Sequence, residues 1–516
     1  MMAAAPPQPT LLTITPELRR EWILNPVRYV EDAIAPPKIS NQQRDALEGY
    51  RLLLCARLHR KALAESKTTL PLTVDEEVLC RKFGLSIQSG KGVGKNAFSA
   101  WVTFHFLDCM RPENIKIMYT APTEEQLKNN LWSEMHKWLQ LSPYLQDRFT
   151  YTSEKIYVTE YRGASVYAAW KTCAKSANPT DQKPTMAGKH ADYMLLGMDE
   201  ASGIPDNDFS PIESTMTGPV NFAMITFNPT KATGYAVRSQ TTDSRYWLTF
   251  QWNAEESDIV EPDHIIRYQE KYGRDSNMYR INILGLPPKS DSQTVIPYEW
   301  AESCVDLIFG VDEDDLNVAG LDVAGGGQGS DSTVLVTGQG GMVKKDGIFR
   351  TNLLRDREIA EWVLDHWHAN GLQSIAVDVN GLGSGVANDL ERIGGRYGLD
   401  VLRVQVGRSP EKHPDRFERL RDELWWMGRE ACEHMRVSIP NHEELIGELT
   451  TPKYEQYRGA QAKVKVQSKK EMLKSPDTAD AWLLWLYCWQ KRGKKPRPSL
   501  HRGRRARERV VDWRTV

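Results

Sequence analysis

The sequence predicts an α/β protein with a mostly parallel sheet in an N-terminal domain and a second sheet in a C-terminal domain. Two observations lead to this prediction. Short apolar runs alternate with helical patterns along most of the 516 residues, which is typical of sheets covered by helices. A glycine-rich turn over residues 89–96 also stands between an apolar strand pattern and a helical pattern, as a phosphate-binding loop does.

The composition excludes several classes of protein. The net charge of −2 gives no global basic field, although local basic faces are compatible with it. The seven cysteines include no C-x-x-C pair, which argues against a zinc ribbon and a disulfide framework and fits a reducing cytoplasm. The first residues lack the pattern of a signal peptide, and no apolar run approaches the ~20 residues of a membrane span. We therefore expect no association with a membrane.

The glycine-rich turn has the residues that a nucleotide phosphate needs. Backbone N–H groups and a helix N-terminus would surround the β- and γ-phosphates, and Lys95 would reach their oxygens. The loop comprises Gly90, Lys91, Gly92, Val93, Gly94, Lys95 and Asn96. Ser89 replaces the first glycine of the common motif, and Asn96 replaces its Mg²⁺-binding hydroxyl. A glycine-rich turn with surface lysines is the alternative for this motif taken alone.

A pair of glutamines precedes this domain. Gln42 and Gln43 begin a predicted helix for which Ser40 or Asn41 is the expected cap. A glutamine amide can both donate and accept, so it can bind the edge of adenine. Gln42 and Gln43 are both candidates for that contact, and ordinary surface glutamines are the alternative.

Two apolar runs end in polar residues that suit ATP hydrolysis. Residues 193–198 lead into Asp199 and Glu200, and we expect a buried strand that presents both acids beside the phosphates. Asp199 would hold Mg²⁺ through water, and Glu200 would act as the base for the attacking water. Residues 222–227 lead into Asn228, and either Asn228 or Thr226 could contact the γ-phosphate or its water. A solvated turn is the alternative for either run alone.

Two strand patterns in the C-terminal half each carry an aspartate. They cover residues 318–337, a hairpin with Asp322 in its first strand, and residues 374–378, a strand that ends in Asp378. Carboxylates that meet at the ends of neighbouring strands can hold the two Mg²⁺ or Mn²⁺ ions of a two-metal nuclease. A solvated strand end is the alternative for each acid by itself.

A helical pattern over residues 475–489 begins near two further aspartates, Asp477 and Asp480. Two strands and a helix start that share carboxylates are the arrangement of an RNase H-like nuclease fold. Because Asp477 and Asp480 lie three positions apart, both can face the same site. Both are therefore candidates for the third ligand, and Asp477 is also a candidate for the helix cap.

Basic residues are frequent around and after these acids. The stretch before the last acids contains Lys453, Arg458, Lys463, Lys465, Lys469, Lys470 and Lys474. Such residues beside a nuclease would neutralise phosphates, with a solvated face as the alternative for any single lysine. Residues 491–516 are strongly basic and too polar to fold alone, which predicts a disordered arm that binds DNA or an acidic partner.

Together these motifs resemble the large subunit of tailed-bacteriophage terminases. The resemblance spans roughly residues 20–490 and includes two further segments, Asn228-Pro229-Thr230 and Tyr272-Gly273-Arg274-Asp275-Ser276. The family has a basic residue four positions before the P-loop lysine, which Lys91 matches. It also has an Asp-Ala step that Asp480 matches, which favours Asp480 over Asp477 as the third nuclease ligand.

The resemblance implies a viral DNA packaging motor that hydrolyses ATP and cuts DNA. It implies ATP with Mg²⁺ in the first domain and two Mg²⁺ or Mn²⁺ ions in the second. The implied partners are double-stranded DNA, a small terminase subunit, a portal protein and further copies in a pentameric ring. That ring would dock transiently on the procapsid in the host bacterial cytoplasm. A host DNA-repair ATPase-nuclease and a non-catalytic assembly protein with degenerate sites are the alternatives.

The predicted organisation has five segments. They are a helical or lid segment (1–66), a P-loop ATPase domain (67–290), a linker (291–310), an RNase H-like nuclease domain (311–490) and a basic disordered tail (491–516).

Overall fold

The chain forms two compact α/β units in a computed structural model. The residues that the structure describes are 14–110, 114–173, 191–214, 217–289, 293–312, 314–324, 332–353, 355–456, 463–472 and 474–493. The first unit comprises Met1–Arg267 and Tyr279–Pro287, and the second comprises Tyr268–Met278 and Pro288–Val516. The chain therefore crosses between the units three times.

The first unit is built on an eight-stranded sheet. Its strands are β1 (Gly84–Ser89), β2 (Ile115–Thr120), β3 (Phe149–Tyr151), β4 (Lys155–Val158), β5 (Val166–Trp170), β6 (Tyr193–Met198), β7 (Val220–Phe227) and β8 (Trp247–Trp252). The strand order is β3-β4-β5-β2-β6-β7-β1-β8, and every neighbouring pair is parallel except β3–β4 and β4–β5. The predicted mostly parallel sheet is thus confirmed. The strands β3 and β8 were not predicted.

Helices cover this sheet. They are α1 (Pro16–Leu24), α2 (Pro26–Tyr29), α3 (Asn41–Ala64), α4 (Val74–Arg81), α5 (Lys95–Cys109), α6 (Glu124–Gln126), α7 (Ser133–Leu141), α8 (Pro143–Arg148), α9 (Ser210–Ser214) and α10 (Tyr235–Gln240). The chain first leaves the unit within α11 (Pro262–Tyr272) and returns within α12 (Asn277–Asn282).

The helix α5 is the centre of the first unit. Its side chains are buried from Ala97 to Cys109, as expected for a helix that is apolar on all sides. The buried His105 forms two hydrogen bonds, one between Nδ1 and the Tyr50 hydroxyl (2.9 Å) and one between Nε2 and the carbonyl of Trp22 (2.8 Å). Trp22 lies on α1 and Tyr50 on α3, so the N-terminal helices are part of this unit rather than a separate lid segment.

The second unit has a five-stranded sheet. Its strands are β9 (Asn317–Asp322), β10 (Thr333–Gln339), β11 (Met342–Thr351), β12 (Ser374–Asp378) and β13 (Asp400–Val404). The order is β11-β10-β9-β12-β13, in which the first three strands are antiparallel and β9, β12 and β13 are parallel. This arrangement confirms the predicted RNase H-like sheet. The glycine-rich turn of the predicted hairpin, residues 325–331, lies outside the described residues.

Helices pack on both faces of the second sheet. They are α13 (Tyr298–Ser303), α14 (Asp356–Asn370), α15 (Gly383–Ile393), α16 (Leu420–Glu433), α17 (Glu443–Thr450) and α18 (Asp477–Arg492), and a small hairpin adds β14 (Tyr454–Gln456) and β15 (Val464–Val466). Side chains of α14 and α15 form the core on one face, and α18 covers the strands β9, β10 and β12. Gly320 permits this contact, because a Cβ there would lie 2.1 Å from the backbone N of Trp485 on α18.

The predicted linker over residues 291–310 is wrong for the part that the structure describes. Val295, Ile296 and Ala301 are fully buried, and the helix α13 packs against α16 and α17. These residues belong to the second unit because their apolar side chains complete its core. Lys491 and Arg492, placed in the predicted tail, end α18 and form ion pairs with Glu411 and Asp400. Residues 494–516 of that tail lie outside the described residues.

No helix in the described parts of the chain is both long enough and apolar enough to cross a membrane.

Candidate nucleotide site and candidate metal centre

Three neighbouring strands of the first sheet bring the predicted nucleotide site together. The strands β6, β7 and β1 are adjacent and parallel, so their carboxyl ends lie along one edge. The strand β1 leads into the glycine-rich loop, β7 into Asn228, and β6 into Asp199 and Glu200. This edge is where open parallel sheets bind their ligands.

The loop has the backbone of a phosphate cradle. Gly92 and Gly94 have φ angles of +77° and +80°, a region that favours glycine, and Gly94 is the N-cap of α5. The amide of Gln43 donates to the carbonyl of Gly94 at 3.0 Å, and the backbone N–H of Lys91 donates to the carbonyl of Asn282 at 2.6 Å. The loop is therefore fixed from two sides, and Val93 between them is buried.

The functional side chains of this site bind one another. The ammonium of Lys95 lies 2.8 Å from Oε1 of Glu200 and donates a hydrogen bond to Oδ1 of Asn228. The amide of Asn228 in turn donates to the carbonyl of Ser89 at 2.8 Å. Glu200 has a φ of +48°, which is uncommon for a residue with a side chain and typical of strain held at a functional site.

Two oxygen atoms beside the loop fit a magnesium ion. Asp199 is fully buried, and its Oδ1 accepts a hydrogen bond from the hydroxyl of Thr226 at 2.8 Å. Its Oδ2 and the Oδ1 of Asn96 are buried without a hydrogen-bond partner among the described residues. Burial, and then the charge of Glu200, raises the pKa of Asp199 to about 6, against the opposing effect of Lys95. A hard cation prefers such oxygens and would favour the ionised form of Asp199.

The structure changes the interpretation of the two glutamines. Gln43 is buried, and its amide is used at both ends, because Oε1 accepts from the backbone of Ser40 while Nε2 donates to Gly94. Gln43 therefore completes the cap of α3 and holds the loop, and both ends of its amide are already engaged. Gln42 donates to the carbonyl of Asn253 at 2.9 Å, and its buried Oε1 has no partner among the described residues. Gln42 is thus the better candidate for a base contact.

The second sheet brings the predicted nuclease carboxylates together. The parallel strands β9 and β12 pair Leu321 with Val377, the residues immediately before Asp322 and Asp378. The first turn of α18 adds Asp477 and Asp480 from the helix that covers these strands. Asp322 therefore lies at the end of its strand, where the sequence placed it inside the strand.

Lys469 occupies the space between these carboxylates. Its ammonium lies 3.2 Å from Oδ2 of Asp322, 2.8 Å from Oδ2 of Asp480 and 4.0 Å from Oδ1 of Asp477. Within the described residues no group of three or more His, Cys, Asp or Glu side chains is arranged to hold a metal ion. The described carboxylates instead surround the ammonium of Lys469.

The electrostatics of the cluster favour a cation among its carboxylates. Burial raises the pKa of Asp322 to about 7, and the nearby aspartates add to this effect while Lys469 opposes it. Burial also raises the pKa of Asp378. Burial would lower the pKa of Lys469, but Asp480 and Asp322 raise it above its ordinary value. Carboxylates that converge on one cation are the donor set of a two-metal site, so these residues fit Mg²⁺ or Mn²⁺ once the lysine withdraws.

Two further contacts orient the acids of α18. The indole N–H of Trp425 donates to Oδ1 of Asp480 at 3.2 Å, and the backbone N–H of Ser332 donates to Oδ2 of Asp477 at 2.9 Å. Such partners fix the direction of a carboxylate before a ligand binds. Asp477 is the first residue of α18, and the cap position belongs to Pro476. The prediction of Asp477 as the cap is therefore wrong, because its carboxylate faces the cluster instead.

Comparison with known proteins found a curated relative of this chain. The chain is 26% identical over 351 residues to a probable terminase large subunit of Enterobacteria phage P7, a match that covers 64% of this chain and 69% of that protein. The chain is homologous to the large subunit of a phage terminase. No family model matches it.

Two solved structures are also similar to this chain. The nuclease domain of the large terminase subunit of bacterial virus Sf6 is 19% identical, with 38% of this chain and 98% of that chain covered and a TM-score of 0.32. The large terminase of bacteriophage HK97 is 16% identical, with 91% of this chain and 99% of that chain covered and a TM-score of 0.36.

Some contacts in this chain could not be found from the sequence. Lys469 was predicted only as one of several basic residues that neutralise phosphates, and its spacing from Asp322 gives no sign of their contact. Trp425 and Ser332 reach the acids from elements that are distant in sequence. The loop, Asp199, Glu200 and Asn228 were found because a strand end is visible as the last residue of an apolar run.

Proposed function

We propose that this chain is the large subunit of a DNA-packaging terminase, with an ATPase in its first unit and a metal-dependent DNA nuclease in its second. The observation that carries the proposal is the presence, in one chain, of two separate acidic sites at the ends of adjacent parallel strands. One site adjoins a phosphate-binding loop and the other adjoins the first turn of a helix. The homology to a terminase large subunit supports the same assignment.

In the first unit, the loop from Gly90 to Asn96 would bind the β- and γ-phosphates of ATP. Asp199 and Asn96 would hold Mg²⁺, which neutralises developing charge on the phosphates. The phosphates would compete with Glu200 for the ammonium of Lys95, because both are anions within its reach. Glu200 would then be free to accept a proton from the attacking water.

Asn228 and Lys91 complete this catalytic group. Asn228 bonds to both Lys95 and the carbonyl of Ser89, so a change at the phosphates would alter its contacts. It would thereby pass the state of the nucleotide to the strand β7, the kind of local switch that drives larger movements. Lys91 lies exposed in the loop, where its side chain could approach the phosphates from the solvent side.

In the second unit, Asp322, Asp378 and Asp480 would hold two Mg²⁺ or Mn²⁺ ions, with Asp477 as an auxiliary ligand. The bound ions would supply an activated water and stabilise the leaving 3′ oxygen of the cut strand. Lys469 would leave the carboxylates when the ions bind, and its charge would then be available to a DNA phosphate.

The packaging role implies partners. We propose double-stranded DNA as the substrate, a small terminase subunit that selects the start, and a portal protein on the procapsid. The working assembly would be a pentameric ring, formed in the host cytoplasm. Residues 494–516 contain nine lysines and arginines against two acids, so this segment suits DNA or an acidic partner surface.

Two variants measured for both activities test the proposal. Glu200→Gln should bind ATP and not hydrolyse it, because an amide cannot accept the proton, and it should still nick plasmid DNA in Mn²⁺. Asp322→Asn should lose nicking by orders of magnitude and still hydrolyse ATP. Circular dichroism of both variants provides the control for folding. Loss of both activities in either folded variant would contradict the division of labour, and a wild-type protein without either activity would contradict the function itself.

A further inference from the structure

The helix α18 does not cap its own N-terminus. The first N–H groups of any helix lack partners within it, and a side chain at the N-cap position usually accepts from the second or third of them. Pro476 occupies that position and has no acceptor in its side chain. Asp477, the first residue of the helix, directs its carboxylate to Ser332 and Lys469. The N–H groups of Thr478 and Ala479 therefore need an acceptor from elsewhere.

Glu448, on the helix α17, is that acceptor. Its Oε2 accepts from the backbone N–H of Thr478 at 2.7 Å and from that of Ala479 at 3.0 Å. Glu448 is only 8% exposed, so water does not compete strongly for these bonds. Arg350 lies 3.4 Å from Oε1 of Glu448 and also donates to the hydroxyl of Thr478. One arginine thus joins the capping carboxylate to the helix that it caps.

We propose that Glu448 is a positioning residue for the nuclease, which fixes the first turn of α18 and with it the carboxylates of Asp477 and Asp480. The inference rests on the proposed nuclease function and extends it to a residue that lies outside the carboxylate cluster. A cap supplied by another helix leaves both aspartates of the first turn free to face a cation. Residues that orient metal ligands in this way typically account for about 10–100-fold in metal affinity or activity.

Glu444 is a control that distinguishes an effect of helix capping from a general effect of negative charge. It lies one turn before Glu448 on α17 and contacts the same cations, with Lys474 at 2.7 Å and Arg350 at 3.2 Å. Among the described residues it accepts no backbone N–H of α18. A role in local charge balance predicts similar effects at both glutamates, whereas capping predicts an effect at Glu448 alone.

The test compares three substitutions of Glu448 in the full chain. Glu448→Gln keeps an oxygen at the same distance, Glu448→Asp keeps the charge but withdraws the oxygen by one methylene, and Glu448→Met removes the acceptor. Binding of Mn²⁺ is measured by calorimetry, and the Mn²⁺ dependence of plasmid nicking is measured beside it, with Glu444→Gln and Glu444→Met as controls.

We expect Glu448→Gln to remain within about threefold of the wild type and the Asp and Met variants to bind Mn²⁺ about 10–100-fold more weakly. ATP hydrolysis should be unchanged in all of them, and both Glu444 variants should bind Mn²⁺ like the wild type. If Glu448→Asp binds Mn²⁺ more tightly than Glu448→Gln, the inference is overturned, because the charge of residue 448 would then matter more than the position of its oxygen. Wild-type affinity in a folded Glu448→Asp protein would overturn it as well, even if the Met variant does not fold. A wild-type protein that binds no Mn²⁺ would instead refute the proposed metal centre.

Discussion

The carboxylates of the second unit would repel one another without a cation, and Lys469 supplies one. Its ammonium lies within 4.0 Å of three aspartates. Asp322 ends the strand β9, and Asp477 and Asp480 lie about one turn apart at the start of α18. An ammonium held this way stabilises the metal-free protein and competes with any metal that enters. The same side chain therefore has opposite effects on the stability of the empty site and on its affinity for metal.

Replacing Lys469 should expose this competition. Lys469→Met keeps the bulk of the side chain and removes its charge, so we expect a lower melting temperature without metal. We also expect Mn²⁺ to bind about tenfold more tightly, equivalent to about 1.4 kcal/mol of lost competition. The measurement is a thermal unfolding series over Mn²⁺ concentration. Lys463→Met, in the same basic stretch, is the matched control, and an equal response of both variants to Mn²⁺ would contradict the role given to Lys469.

The glutamines of α3 allow a second test at the scale of one residue. The unpaired Oε1 of Gln42 can accept from the amino group of adenine, whereas guanine presents an acceptor there. Gln42→Ala should therefore reduce the preference for ATP over GTP in kcat/KM, by about tenfold. Gln43→Ala should weaken both nucleotides equally, because Gln43 holds the loop through Gly94. A loss of base preference in Gln43→Ala alone would reverse this assignment.

At the scale of elements, strand ends were predictable and the contacts between distant elements were not. Asp199, Asn228 and Asp378 follow apolar runs, and parallel strands place such residues at one edge of the sheet. The cap from α17 to α18 could not be predicted, because a carboxylate on one helix gives no sign of which helix it will meet. The strand β8 was not predicted, although the alternation of apolar and polar residues between its tryptophans is the pattern of a half-buried strand.

The contacts of α5 predict a dependence of stability on pH. Burial lowers the pKa of His105 to about 4, and the hydrogen bond to Trp22 only partly opposes this effect. The folded state thus favours neutral His105, while the unfolded chain binds a proton already below about pH 6.5. Stability should fall as the pH drops from about 6.5 to about 4, by about 3 kcal/mol for this residue. His105→Gln, which cannot titrate, should be less stable at pH 7 but lose less stability on acidification.

Urea unfolding at pH 7 and pH 5, followed by tryptophan fluorescence, checks this prediction. His59→Gln is a control of opposite sign, because the hydrogen bond that His59 donates to Glu76 raises the pKa of His59, and the stability that this bond contributes is lost as the pH rises. The His59→Gln variant should therefore lose at least as much stability on acidification as the wild type. An unchanged pH dependence in His105→Gln would show that other groups control the acid response.

At the scale of the whole molecule, the two-domain plan was predictable and its boundaries were not. Each sheet has its own helical cover and its own acidic site, which the separate groups of motifs in the sequence already indicated. The boundaries differ because a short segment without a strong periodic pattern can still fill a core. Residues 293–310 do this with Val295 and Ile296, and so does Tyr272, whose ring packs beside Gly447 of α17.

The three crossings of the chain have a consequence for inheritance. The second unit takes eleven of its residues, Tyr268–Met278, from a stretch of sequence that lies between two parts of the first unit. A recombination event downstream of Pro287 would therefore transfer a nuclease without the segment that carries Tyr272 and Met278, both of which contact Gly447 of α17. A breakpoint upstream of Tyr268 would instead bring along Tyr279–Pro287, which belongs to the first unit and meets the phosphate-binding loop at Gly90. Exchange between related chains should consequently preserve this stretch together with both of its neighbours, and chimaeras joined between Met278 and Tyr279, which mismatch both segments, should fold least well.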